Sequence, residues 1–372
     1  MLNLRLLFIC GSLEPGKDGV GDYTMRLAGE LIKHGAAVSI LAINDRFIDK
    51  ITEFTETLGY TNISCLRLPQ QISNKKKLEA SRAFVHQHNP EWISLQYVPF
   101  SFHDKGIPFR LSGYLKQLNK QVQWHIMFHE LWIGTHGARD MKTLFWKSLQ
   151  KLIIRRLIAH LQPRLITTTI LRYQQLLNNK TVQLLPLFGN IPIPVHQNTI
   201  NISDQIKVVI YGSVTSCLDD FTHQILWCKK LSFNLGRKIV FFFVGNNGVF
   251  KREAEAIIEK HFGAQAIITL GFVQKDMISH HLLSADMAIS RADHVYLGKS
   301  GTTITMLEYG LPVLMKGKRP SLSNQAFNEL VQQQLFYPDD PLPKSLIKYP
   351  KTSFLQSVTD QYIQYLKHAS GE

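Results

Sequence analysis

The chain has 372 residues, 45% of them hydrophobic and 19% charged, which is enough apolar material for two domains of ordinary size and too much for a disordered chain. A formal net charge of +14 draws it to anionic partners, whether nucleic acid, acidic membrane or phosphorylated substrates, without choosing among them. Four cysteines (Cys10, Cys65, Cys217, Cys228) without a Cys-x-x-Cys pair fit a reducing, cytoplasmic setting. The sequence shows no signal-peptide pattern and no apolar run near the ~20 residues of a membrane span, so a soluble or peripherally attached protein is expected.

In chain order, Leu4–Cys10 is apolar but for Arg5, as a strand buried on both faces of a parallel sheet requires. A glycine-rich loop, Gly11–Asp22, leads into an amphipathic helix over Tyr23–His34 that Gly35 stops. Further strands are predicted at Val38–Ile43, Ile63–Leu68, Trp92–Gln96, Gln123–Met127 and Leu165–Thr169. Helices are predicted near Lys76–His88, Ile107–Asn119 and Met141–Leu161. This alternation predicts a doubly wound parallel sheet. The prolines and glycine of Leu184–Ser203 break the rhythm, and Pro186–Pro192 has the composition of a hinge.

The rhythm restarts at strand Lys207–Tyr211. It continues through helix Phe221–Asn234, strand Lys238–Val244, helix Phe250–Phe262, strand Ala266–Leu270, helix Lys275–Ala285 and strand Met287–Ser290, and a closing helix is expected over 353–369. The expected organisation is a Rossmann-like domain over 1–190, a linker over 191–203, a second Rossmann-like domain over 204–350, and a closing helix and tail over 351–372. Two such domains facing each other would form a cleft, with ligands beyond the carboxyl ends of the strands.

The segment Ser284–Met315 carries the most chemistry. It reads as a strand, then the loop Gly298-Lys299-Ser300-Gly301-Thr302-Thr303, a helix Ile304–Tyr309, a stop at Gly310 and a new strand from Pro312. Two glycines, hydroxyls and a lysine at a helix N-terminus suit a phosphate group, because the first helical N–H groups lack partners and the dipole adds positive charge. A solvated lysine before a helix-capping serine fits the same pattern. Glu308, one turn on, is placed to accept from a pair of sugar hydroxyls, or is a plain helix-surface carboxylate.

Four segments together resemble the two-domain GT-B glycosyltransferases, in particular the retaining family 4 group that uses nucleotide sugars. They are Gly19-Val20-Gly21-Asp22-Tyr23-Thr24, Phe128-His129-Glu130-Leu131-Trp132, Tyr211-Gly212-Ser213, and Leu270-Gly271-Phe272-Val273 onward to Leu314. The resemblance spans almost the whole chain and implies a donor-binding second domain and an acceptor-side first domain. Two departures stand out. Ser300 occupies the position of the first of the group's two donor-loop glutamates, and the loop after Tyr211 has no cation.

The resemblance assigns donor binding to Lys299, Ser300, Gly301, Thr302, Thr303, Glu308, Arg291, Gly271, Phe272, Val273, Gly212 and Ser213. It places His129 near the transferred sugar, with Glu130 as its polar partner or as a general base if the enzyme inverts. Gly19, Gly21, Asp22 and Tyr23 would shape the sugar and acceptor side; a glycine turn with a capping aspartate fits the same residues. The implied partners are a nucleotide sugar and a glycan or lipid-linked acceptor in envelope polysaccharide synthesis, with no cofactor and no essential metal. No metal-ligand spacing, ATPase phosphate loop or nucleic-acid recognition motif is present. Lys147, Lys151, Arg155 and Arg156 on the helix Met141–Leu161 could rest on an anionic membrane at the inner face, or form a solvated cationic face. A nucleotide-sugar epimerase or phosphorylase, and a non-catalytic sugar-nucleotide-binding protein, are the alternatives on this fold.

Overall fold

The computed structural model describes residues 4–119, 121–135, 140–178, 181–194, 204–214, 218–320 and 329–371. Its chain divides into two compact units, the first formed by Met1–Pro186 with Leu355–Glu372 and the second by Leu187–Phe354. The closing helix, Leu355–Ser370, therefore belongs to the first unit. Part of the expected linker, 195–203, lies outside the described residues, as does Cys217. Cys10, Cys65 and Cys228 are buried free thiols.

The first unit carries an eight-stranded sheet: β1 (Arg5–Cys10), β2 (Ala37–Asp45), β3 (Thr52–Leu58), β4 (Thr61–Pro69), β5 (Trp92–Tyr97), β6 (Gln123–Phe128), β7 (Leu165–Thr168) and β8 (Val182–Leu184). Their spatial order is β3-β4-β2-β1-β5-β6-β7-β8. All neighbours run parallel except β3, an antiparallel edge strand on β4. The inner strands are buried and mostly apolar because helices cover both faces of a parallel sheet. β3 (TEFTETL) alternates half-buried and exposed residues, which suits an edge strand.

The second unit carries β9 (Gln205–Tyr211), β10 (Lys238–Val244), β11 (Ile267–Gly271), β12 (Met287–Ile289), β13 (Val313–Leu314) and β14 (Leu335–Phe336). Their order is β11-β10-β9-β12-β13-β14, all parallel. Counted from β9 this is 3-2-1-4-5-6, the doubly wound order, which reverses between β9 and β12. Two apolar layers sandwich the sheet. One is built on Val209, Leu282, Met306 and Tyr337, the other on Ile210, Phe221, Cys228 and Phe241.

The expected hinge Pro186–Pro192 is largely tied down within the second unit. Asn190 N–H donates to Thr305 Oγ1 (2.9 Å), and Tyr309 O–H donates to the Pro192 carbonyl (2.7 Å).

Candidate functional site

In an open α/β sheet the ligand crevice lies outside the carboxyl ends of the strands where the order reverses. In the second unit those ends are Tyr211 and Ile289. After Tyr211 the chain turns at Gly212, whose φ of +92° favours glycine, and a methyl group there would stand 2.8 Å from Thr302 Cγ2. After Ile289 comes Ser290, whose hydroxyl bonds Thr303 Oγ1 at 2.7 Å. Both strand ends therefore converge on the N-terminus of the helix Gly301–Glu308, and Gly212, Ser290, Thr302 and Thr303 meet at one place.

That N-terminus differs locally from the expected loop and Ile304–Tyr309 helix. His294–Lys299 forms a 3₁₀ helix, and the α-helix begins at Gly301, three residues early. Ser300 is the cap, its Oγ accepting from Thr303 N–H (3.4 Å) and pairing with Thr303 Oγ1 (2.7 Å). Lys299 is half-buried, with Nζ 5.6 Å from the Tyr296 ring centre. A short capped helix, a lysine in the preceding turn and a glycine at close approach make a place for an anionic group.

Gly271 ends β11 with φ +66°, Phe272 beside it is 69% exposed, and Val273 packs on the core. Ser213 is exposed and donates to the Asn246 carbonyl (3.3 Å). Asn247, which the sequence reading did not single out, is buried. Its amide donates to the carbonyls of Ile210 (3.3 Å), Gly212 (3.0 Å) and Val244 (3.4 Å), gathering the ends of β9 and β10. A buried asparagine two residues past a strand-ending glycine was the available signal.

Two expected donor residues turn inward. Glu308 is fully buried: its Oε1 accepts from Phe354 N–H (2.8 Å), and its own carbonyl accepts from Thr352 N–H (2.9 Å). A methyl group on Gly189 would stand 2.3 Å from Glu308 Oε2. Glu308 thus ties down the 352–354 segment and lies against Gly189, closed off from solvent. Arg291 is half-buried, donates to Gln224 Oε1 and lies 5.2 Å over the Phe221 ring, so it braces the end of β12 instead of reaching outward.

In the first unit the helix after β1 spans Gly19–Lys33 and begins four residues before its expected start. Its cap is Asp18, whose Oδ1 accepts from Val20 and Gly21 N–H at 2.9 Å each. Gly19, Gly21, Asp22 and Tyr23 therefore lie in the first helical turns. A methyl group at Gly21 would meet the Ser12 carbonyl at 2.5 Å, whereas nothing lies within 4 Å of one at Gly19. Asp22 Oδ2 accepts from Gly16 N–H (3.1 Å). The loop is pinned from below by Arg67, which bonds Asp45 and Glu14 at 2.7 Å each, while Asp45 also accepts from Leu13 N–H (3.2 Å). Those hydrogen bonds hold the Asp45 carboxyl below its ordinary range even though burial pushes the other way.

The loop and the end of β6 come together at Tyr23 and His129, whose rings meet edge to face at 5.0 Å. His129 is buried, and its Nε2 bonds Gln96 Oε1 at 2.8 Å. Burial holds its pKa down at about 3, so at neutral pH the ring is an uncharged polar group. Glu130 follows on the same turn and is half-buried, its N–H reaching back to the Tyr97 carbonyl (3.4 Å). Among the described residues no group of three or more His, Cys, Asp or Glu side chains is arranged to hold a metal ion, and no helix is long and apolar enough to cross a membrane.

No protein-family model and no curated protein matches the sequence. Solved structures do match. Sucrose-phosphate synthase from Thermosynechococcus elongatus aligns with a TM-score of 0.59 at 13% identity, covering 98% of this chain and 90% of its own. WaaG, a glycosyltransferase involved in lipopolysaccharide biosynthesis, aligns at 0.52 and 13%, covering 98% and 93%. A Listeria monocytogenes protein described as a UDP-N-acetylglucosamine 2-epimerase aligns at 0.56 and 8%, covering 100% and 98%. At these identities the likeness is one of fold. The chain has the mixed α/β fold of the GT-B glycosyltransferases, with two parallel-dominated sheets.

Proposed function

We propose that this chain is a glycosyltransferase that moves a sugar from a nucleotide-sugar donor to a glycan or lipid-linked acceptor in envelope polysaccharide synthesis. The observation that carries the reading is the meeting of Gly212, Ser290 and the Ser300-capped helix at the switch point of the second sheet. Such a place suits a diphosphate: the backbone N–H groups of 301 and 302 and Lys299 neutralise charge as the leaving group departs. Gly271, exposed Phe272 and Val273 then frame the base, with Gly212 and Ser213 lining the approach. In the first unit Asp22, Tyr23 and His129 serve the sugar and acceptor. Retention is the favoured stereochemistry; Glu130 is the candidate base for an inverting reaction. The fold's appearance among glycosyltransferases is consistent with this reading.

The helix Met141–Leu161 supports a peripheral location at an anionic membrane. Met141 (81% exposed), Phe145 (64%) and Leu152 (57%) stand in solvent beside exposed Lys142, Arg155 and Arg156. A helix that leaves apolar side chains out among cations fits an interfacial position.

The test is a thermal-shift screen of UDP, GDP, ADP, dTDP and CMP with their common sugars, followed by product analysis with and without acceptor. Selective stabilisation by one nucleotide is expected, since a ligand of the native state raises the melting temperature by mass action. No shift from any nucleotide at millimolar concentration would overturn the donor site. The epimerase likeness supports a second reading, in which the sugar nucleotide is converted without any acceptor. Product from donor alone would establish that reading in place of transfer.

A further inference from the structure

Beneath His129 runs a chain of buried polar side chains. Ser94 and Gln96 alternate along β5, His125 and Met127 along β6, and Thr167 sits on β7. The register sets Ser94 opposite His125, and Gln96 opposite Met127, which is itself opposite Thr167. A period of two puts all five on one face of the sheet. There they meet Tyr362 of the closing helix, whose hydroxyl lies 2.9 Å from His125 Nδ1. The links are short: His129 Nε2 to Gln96 Oε1 at 2.8 Å, Gln96 Nε2 to Ser94 Oγ at 2.7 Å, Ser94 Oγ to His125 Nδ1 at 2.7 Å, and His125 Nε2 to Thr167 Oγ1 at 2.9 Å. Thr167 in turn donates to Met127 Sδ.

The direction at His129 is set by the Gln96 amide: its nitrogen donates to Ser94 Oγ, so its oxygen faces His129 and can only accept. If Thr167 gives its proton to the Met127 sulfur, it must accept from His125 Nε2–H. His125 Nδ1 then accepts from Ser94, Ser94 accepts from the Gln96 amide nitrogen, and Gln96 Oε1 accepts from His129 Nε2–H. The reverse direction spends the Thr167 proton on His125 and turns oxygen lone pairs toward a sulfur that has no hydrogen to give. The methionine end therefore favours His125 protonated at Nε2, while the tautomer of His129 follows from Gln96.

We propose that Gln96 is a positioning residue that holds His129 as the neutral Nε2–H tautomer, so that Nδ1 is the acceptor His129 offers to a hydroxyl of the ligand. The proposal rests on the reading of His129 as a sugar-side residue. It deepens that reading: a ring presenting a lone pair recognises a sugar hydroxyl and not the diphosphate, which needs a donor. Neither the hydrogen-bond direction nor the role of Gln96 requires that the ligand be known.

The test is long-range proton–nitrogen correlation of the histidine rings in the full-length, nitrogen-15-labelled protein at pH 7. The wild type is expected to show His129 protonated at Nε2 and bare at Nδ1, with a slowly exchanging Nε2–H. Gln96→Glu keeps an acceptor and should keep the tautomer; Gln96→Leu should lose the exchange protection. Thr167→Val, which removes a bond to His125 and none to His129, should free the His125 tautomer and leave that of His129 unchanged, a separation that loosened packing alone does not predict. A wild-type His129 protonated at Nδ1, or a changed His129 tautomer in Thr167→Val, would overturn the assignment even if Gln96→Leu does not fold. A second arm adds a nucleotide sugar, or its nucleoside diphosphate alone. Movement of the Nδ1 resonance with the sugar nucleotide only is expected. If the tautomer is as stated but neither ligand moves Nδ1, the ligand-facing half of the proposal falls, while nucleotide binding in the thermal-shift screen is judged independently.

Discussion

Lowering the pH from 7.5 to 5 should destabilise the first unit, and two buried histidines should account for much of the loss. His125 and His129 are both held at a pKa of about 3, against an ordinary value of 6.5, by burial first and for His125 by its neighbour His129 as well. The sign follows from proton binding. Between pH 6.5 and 3 the unfolded chain protonates these rings and the native state does not, so stability is full above 6.5 and is lost as pH falls through that window. At pH 5 an unfolded imidazole is protonated roughly thirtyfold over its neutral form, a linkage of about 2 kcal/mol per ring, or about 4 kcal/mol for the two. That is a large part of the roughly 5–15 kcal/mol that holds a domain together. Other groups titrate in the same range, including Asp18, whose carboxyl burial raises, so the test is a difference. Urea unfolding of wild type, His125→Gln and His129→Gln at both pH values should show each variant losing about 2 kcal/mol less on acidification than the wild type. Identical losses in all three proteins would refute the reasoning.

Lys299→Ala should weaken binding of a nucleoside diphosphate about tenfold by calorimetry, the worth of one charge-assisted contact, with the melting temperature of the free protein unchanged. Gly212→Ala combines a φ of +92° with a contact of 2.8 Å to Thr302 and should cost about 1–3 kcal/mol in denaturant unfolding. Gly19→Ala, which meets nothing within 4 Å, should be neutral or slightly stabilising. Arg67→Ala leaves the fully buried Asp45 carboxylate without its cation and should cost about 3–5 kcal/mol. Reversing Lys147, Lys151, Arg155 and Arg156 to glutamate should abolish co-sedimentation with anionic vesicles; equal sedimentation of variant and wild type would remove the membrane reading.

The buried parallel strands were legible because helices cover both faces and every position is apolar: Phe8–Cys10 and Phe241–Val244 need no tertiary context to be recognised. β3 was not, because an antiparallel edge strand rich in threonine and glutamate looks like a polar loop. The glycines of both candidate loops misled in the same way. Their sequence predicts loop, yet Asp18 and Ser300 cap helices that take in Gly19, Gly21 and Gly301 and begin four and three residues early. Glu308, expected to face out, lies against Gly189 and Phe354, a packing that the helix pattern alone does not show. The polar chain under His129 was also out of reach. Ser94, Gln96, His125 and Thr167 are visible as polar residues in apolar strands, but joining them takes the register of three strands and a tyrosine 237 positions from His125.

The two sheets share an architecture, and the strand ends explain why the nucleotide is assigned to the second. In the first unit the order reverses between β1 and β5, and the crevice there is filled by the chain itself. Gly11 lies so close to Ser101 that an added methyl would stand 2.6 Å from its Cβ. Tyr23 and His129, which the reading places at the sugar, are displaced toward the end of β6 and are uncharged at neutral pH. In the second unit the residue that approaches the corresponding glycine, Gly212, is Thr302 in the first turn of a helix, so the reversal point is walled by N–H groups and a lysine. A diphosphate should therefore slow amide hydrogen exchange at 212–214 and 299–303 and leave 11–13 and 98–101 unchanged. Protection at the first set of amides would confirm that equivalent topologies were divided by what fills the switch point; protection at the second would reverse the assignment of the two units.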